Sequence, residues 1–306
     1  MAKVNPKFIG SSQYRPPLCL ELGGKNFHIF MDDGDELSFN FLDGETVQIA
    51  NYGDLYRAES YECLKADEDV YFVRIEPRAK KGKVNQVWVF DLAKWLVTRV
   101  ETEEDLFPEV KRLVKVTPTF GAIKRADHDL PTERHTFSDV QVGKHITWRY
   151  NPSMSVPHIY HGKTMYRLPL ITEENIRARF KGSTDPGDMK RMEDRLAMHF
   201  RLVENYPFTE EPCFHIQIND KLNLFAFCEE NEAKADPAEL VGGGGLILLQ
   251  NIERLTQVGM SFCLGEYYLT FATGEEIEGG DPVDDMVAPY DETALECMPI
   301  IYEIEN

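Results

Sequence analysis

Along most of this chain apolar and polar residues alternate with a period of two, the signature of half-buried strands. Phe27-His28-Ile29-Phe30-Met31 and Leu37-Ser38-Phe39-Asn40-Phe41 flank Asp32-Asp33-Gly34-Asp35, which predicts a hairpin. Thr46 to Ile49, Tyr56 to Leu64, Val70 to Ile75, Val84 to Leu92 and Leu96 to Glu101 continue the pattern. A second series begins at Val142 to Tyr150 and includes Pro157 to Tyr160, Thr164 to Leu168, Cys213 to Ile218 and Leu222 to Glu229. It resumes at Leu246 to Gln250, Gln257 to Cys263 and Tyr267 to Thr273. Short strands at this spacing indicate a barrel or a sandwich.

The two series look alike. Gly24-Lys25 opens the first, whose run Val70 to Ile75 ends on Glu76-Pro77; Gly143-Lys144 opens the second, whose run Leu222 to Cys228 ends on Glu229. Two similar all-β units predict duplicated barrels. The strand pattern breaks over residues 187–203, where Met189, Met192, Leu196, Phe200 and Val203 recur at helical spacing after Asp185-Pro186-Gly187-Asp188. This is read as a helix inserted between barrel strands, either packed on the exterior or closing the barrel mouth. Residues 102–140 read as a connection, with a short helix over Glu103 to Val114, then Pro118, Gly121 and the polar run Asp127 to Glu133. The expected division is an N-terminal barrel over residues 1–115, a linker over 116–140, and a C-terminal barrel over 141–306. That barrel carries the helical insert at about 173–205 and an extended acidic tail from residue 274.

The 306 residues suit one large or two ordinary domains, and 42% hydrophobic content is enough for real cores. Fifty-two acidic residues against 33 basic ones give a net charge of −19, which argues against nucleic-acid and anionic-membrane partners. The expected partner is a small-molecule ligand, with a homodimer compatible with the sequence. Cys19, Cys63, Cys213, Cys228, Cys263 and Cys297 are scattered without a C-x-x-C, and the N-terminus lacks the apolar core of an export signal. A cytoplasmic protein with free thiols and no metal is therefore expected. His158 and His161 fall on opposite faces of a strand, which disfavours a two-histidine site. Gly242 to Gly245 lacks the Lys-Ser/Thr of a phosphate loop and reads as a turn at a barrel end; no G-x-S-x-G occurs.

Trp148-Arg149-Tyr150-Asn151-Pro152-Ser153, followed by Pro157-His158-Ile159-Tyr160, resembles the second half of the MoaF-like family, named for a link to molybdenum-cofactor biosynthesis. Asp54-Leu55-Tyr56-Arg57-Ala58 and Asp69-Val70-Tyr71-Phe72-Val73 look like that family's N-terminal domain. The resemblance covers most of residues 20–265 and implies a mainly β chain of two lipocalin-like (calycin) antiparallel barrels. Pro157 stands where that family usually has an acid, and the helical segment is longer than the family implies. A more distant similarity, to phenolic acid decarboxylases, matches their interior Glu to Ile75-Glu76-Pro77 and Cys228-Glu229-Glu230. It matches their tyrosines to Arg149-Tyr150 with Tyr160, and their arginine to Arg177 or Arg179.

Alternate side chains share a face, so His158 points with Tyr160, and Trp148 with Tyr150. If Tyr150 faces inward, one interior holds Tyr150, Tyr160, His158 and Glu229. The expected catalytic pair is then Glu229 and His158, with Tyr150, Tyr160, Trp148 and Arg149 binding substrate. Tyr56, Tyr61 and Glu76 are the first-barrel equivalents, and Arg74 shares the Glu76 face, as an internal ion pair or on a wet outer surface. The function expected is a cofactor-independent lyase (decarboxylase-like) or isomerase acting on a small organic substrate, an aromatic one among the candidates. The alternative is a non-catalytic calycin that binds or carries a metabolite.

Overall fold

In a computed structural model, the described residues are 11–277, apart from 13, 81–83, 108–111, 152–153, 169–172, 229–243, 264–265 and many positions within 174–208. They form two closed antiparallel barrels of eight strands each. The first comprises β1 (Asn26–Met31), β2 (Glu36–Phe41), β3 (Thr46–Asn51), β4 (Arg57–Asp67), β5 (Val70–Ile75), β6 (Val84–Asp91), β7 (Leu96–Phe107) and β8 (Arg112–Lys124), each beside the next, with β8 returning to β1. Gly34, at φ 96°, turns the β1–β2 hairpin in a conformation few other residues adopt.

The short strand β9 (Thr136–Phe137) leads into the second barrel: β10 (His145–Asn151), β11 (Met154–Ile159), β12 (Met165–Leu168), β13 (Thr209–Gln217), β14 (Leu222–Cys228), β15 (Gly245–Asn251), β16 (Thr256–Cys263) and β17 (Glu266–Glu276). β10 pairs with β17, and β12 pairs with β13 over Thr209 to Pro212, which completes the circuit. β9 occupies Ile216 and Gln217, the part of β13 that β12 does not reach.

The division after residue 115 needs correction. No helix forms over 103–114 among the described residues; β7 runs to Phe107 and β8 begins at Arg112. Residues 116–124, assigned to a linker, close the first barrel. Pro118 and Gly121 suggested a break, yet both have a place in the strand. β8 pairs with β1 only over Gly121 to Lys124, so one edge of β8 is open at Pro118 and no ladder donor is lost there. At Gly121 a Cβ would lie 2.7 Å from the Phe30 carbonyl oxygen, so glycine permits the close approach of β1.

Some strands are apolar on both faces. All seven residues of β14 are buried: Phe225 and Phe227 face the barrel interior, while Leu224 and Ala226 face the first barrel. β5 and β6 follow suit, with Tyr71, Val73, Trp88 and Phe90 inside and Phe72, Val87 and Val89 outside. The outward rows of both barrels merge into one apolar core, so each barrel closes the other's exposed face. Ser11 to Leu20 runs across this junction: the Ser11 carbonyl accepts from Phe271 N at 3.1 Å, and Cys19 N donates to the Cys63 carbonyl at 2.8 Å.

Among the described positions of the expected insert, 180–185 are turn and loop and the rest are helical, among them Met189, Met192, Leu196 and Phe200, with Leu196 buried and Met189 and Phe200 exposed. Val203, the quartet Gly242 to Gly245 up to Gly243, and the tail beyond Ile277 lie outside the described residues. Among the described residues, no helix is long and apolar enough to cross a membrane, and no group of His, Cys, Asp or Glu is placed to hold a metal ion. Cys19, Cys63, Cys213 and Cys228 are free thiols.

Candidate functional site

Alternation along β10 turns Ile146, Trp148 and Tyr150 into the second barrel, and the partner strand β11 brings His158 in from the other side. Tyr160 follows directly after β11, and its backbone pairs with Lys144 and Gly143. The interior is lined with rings: His158 lies 5.2 Å from Tyr166, 5.6 Å from Phe225 and 5.5 Å from Phe227, centroid to centroid. Tyr160 meets Phe225 edge to face at 5.1 Å.

A chain of neutral hydrogen bonds crosses the rings. Trp148 Nε1 and Gln250 Nε2 each donate to Tyr160 Oη at 2.9 Å. Gln250 Nε2 also donates to Gln257 Oε1, and Gln257 Nε2 to Tyr150 Oη, both at 2.9 Å. With two donors on its oxygen, Tyr160 keeps its own proton to give, and His158 Nδ1 faces it at 3.5 Å. Beside them His215 stacks on Phe225 at 4.8 Å, and its Nδ1 accepts from Asn223 Nδ2 at 3.3 Å. Asn223 also donates to Gln141 Oε1, which ties this end of the barrel to the segment before β10. Gln250 Oε1, Asn223 Oδ1, Thr270 Oγ1 and Gln141 Nε2 are buried without a partner.

Burial decides the protonation states. It pushes His158 down to about 3, helped by the neighbouring His215 and His145, and His215 down to about 4. Tyr160 moves up, because burial outweighs the hydrogen bonds from Trp148 and Gln250; Cys213 also moves up through burial. At neutral pH these groups are uncharged.

Four predicted residues therefore converge: Trp148, Tyr150, His158 and Tyr160. Arg149 does not join them; the same alternation that turns Trp148 and Tyr150 inward leaves it exposed on the outer face. Glu229 and Arg179 lie outside the described residues, and Arg177 is bonded to Glu173 at 2.7 Å in the exposed helical insert. The first-barrel equivalents do not converge. Tyr56 is 51% exposed ahead of β4. Tyr61 is inside, where its hydroxyl donates to the Asp43 carbonyl at 2.8 Å. Glu76 is on the outer face, where Arg74 bonds Glu62 at 2.8 Å and Glu76 at 3.3 Å and lies 5.7 Å from the Tyr267 ring of the second barrel.

The sequence reading missed Glu211, which is 1% exposed. It pairs across the ladder with Tyr166 and shares the inner face with Cys213 and His215. It also missed Gln250, Gln257 and Asn223. Two of them left a signal: Asn223 interrupts the apolar run of β14 and Gln250 follows that of β15, whereas Gln257 stands in β16 with Thr256 and Ser261 and left none. Among the described inward positions of this barrel none is Lys or Arg.

Residues 8–105 match the family description of the MoaF N-terminal domain, a stretch that covers most of the first barrel. No curated protein matches the chain.

Proposed function

From a chain whose N-terminal part is MoaF-like, we infer that the working site is the interior of the second barrel and that it binds a small, uncharged ring compound. The observation that carries this is the neutral network from Trp148 to Tyr150, with buried oxygens of Gln250 and Asn223 left over as acceptors. Each such atom costs about 1–3 kcal/mol while unpaired, so a ligand with N–H or O–H donors gains by meeting it. The edge-to-face ring lining favours an aromatic body. With no inward Lys or Arg among the described residues, a carboxylate ligand lacks a counter-charge.

Binding is favoured over turnover because His158, at about 3, and Tyr160, pushed up, are far from the range in which a general acid or base works at neutral pH. The interior is also filled: Trp148 and Tyr160 are fully buried, so an entering ring displaces side chains. A second reading, cofactor-independent lyase or isomerase chemistry, draws its support from Glu211, a carboxyl on the same inner wall.

Phenol and toluene differ by one donor and test the binding reading. Phenol is expected to perturb the side-chain amide signals of Gln250 and Gln257 in NMR titrations and to bind roughly two- to tenfold more tightly than toluene, the worth of one hydrogen bond. Gln250→Leu should erase that preference. Equal binding of the two probes, or shifts confined to the surface, would contradict the inference. For the second reading, hydroxycinnamic acids incubated in D2O should release CO2 or acquire deuterium, and Glu211→Gln should slow this roughly 10²–10⁴-fold. Exchange that is unaffected by Glu211→Gln removes Glu211 from that role.

A further inference from the structure

A pocket lies between the barrels, outside the interior site. It has a volume of about 230 Å³ and is walled by Ala66 and Lys65 of β4, Leu249 and Asn251 of β15, Val258 of β16, Phe271 of β17 and Pro16 of the crossing N-terminal segment. At about 30 Å³ per water, this is the space of a small organic molecule. Its polar corners are largely committed: Lys65 Nζ is held by Glu21 at 2.7 Å, Gln257 Oε1 accepts from Gln250, and Gln257 Nε2 donates to Tyr150.

Asn251 is the exception. It is 1% exposed, and its Oδ1 accepts from the backbone N–H of Glu253 at 3.2 Å and of Arg254 at 2.8 Å, holding the β15–β16 turn. Those two donors fix which end of the amide is oxygen. The remaining Nδ2 is buried with no partner. The pocket thus offers largely apolar walls and, in Asn251 Nδ2, a buried donor without a partner.

We propose that the inter-barrel pocket is a binding site for a small apolar compound bearing one hydrogen-bond acceptor, such as a ketone, held by Asn251 Nδ2. Its walls come from both barrels and from the N-terminal segment, so an occupant stabilises the junction as a unit.

Acetophenone and ethylbenzene, alike in shape but not in acceptor, are the probes. Acetophenone is expected to bind at least tenfold more tightly, with NMR shifts at Leu249, Val258 and Phe271, and to raise the melting temperature. Asn251→Asp keeps an oxygen for the turn amides but removes the donor, and should bring the two probes to equal affinity. Val258→Trp, or Ala66→Phe from the opposite wall if the first fails to fold, should abolish both. Equal affinities in the unaltered protein, a preference that survives Asn251→Asp, or shifts at Trp148 and Tyr160 instead of the junction would each overturn the proposal.

Discussion

Lowering the pH from 7 to 4.5 is expected to cost the fold about 5 kcal/mol through two histidines alone. His158 and His215 are buried inside the second barrel with folded values of about 3 and about 4. In the unfolded chain each returns to about 6.5. Their folded values are depressed, so the unfolded state binds more protons between about 6.5 and 4, and stability falls as the pH drops through that window. Each histidine contributes roughly 2.5 kcal/mol by pH 4.5. His135, lowered by burial against the opposing pull of Asp91, adds to the loss with the same sign. Against a typical total of about 5–15 kcal/mol, a loss of this size removes roughly a third or more of the stability. Urea unfolding at the two pH values measures it. His158→Phe with His215→Phe, which keeps the rings, should flatten most of the dependence. If the double variant loses as much stability as the parent, the histidines are not the cause.

The strands were readable wherever one face is wet. β1 and β2 alternate cleanly, and Gly34 marks their turn, because a half-exposed strand writes its geometry into its sequence. The pattern misled where an element obeys a longer-range demand. Pro118 and Gly121 read locally as breakers, but the first marks an open strand edge and the second a close strand approach, and both depend on β1, some ninety positions away. The boundary after 115 failed for that reason. Continuous runs such as Leu222 to Cys228 could be assigned as strands, but not why both faces are apolar; the answer is a second barrel packed outside.

The site was legible in part. Parity along β10 and β11 was enough to bring Trp148, Tyr150, His158 and Tyr160 onto one inner wall, and the same parity, applied strictly, would have excluded Arg149. Glu211 was hidden because Thr209 to Pro212 reads as an acidic loop edge; only its ladder to β12 places it inside. The Gln250–Gln257 link is made across a hairpin and extends to tyrosines 90 and 107 residues away, a distance no local pattern records.

Phe214→Ala is expected to lower the stability of both barrels together, by about 3–5 kcal/mol. Phe214 is buried on the outward face of β13, in the core shared with Phe72, Val87 and Val100 of the first barrel. Its ring lies 6.2 Å from Phe137 of β9, which in turn meets Phe120 of β8 edge to face at 5.5 Å, so one file of rings joins the two barrels. Truncation removes a ring from a region with apolar side chains on all sides, and neither barrel can collapse into the gap without leaving the other. Trp88 reports on the first interior and Trp148 on the second. With 5-fluorotryptophan at these positions, the two signals should disappear in one transition in the parent. In Phe214→Ala they should still disappear together, at a melting temperature lower by roughly 2–4 °C per kcal/mol. A first-barrel signal that keeps its parental midpoint while the second falls would show two independent domains in contact. The shared apolar core would then be a docking face, and an inter-barrel ligand could not stabilise the chain as a whole.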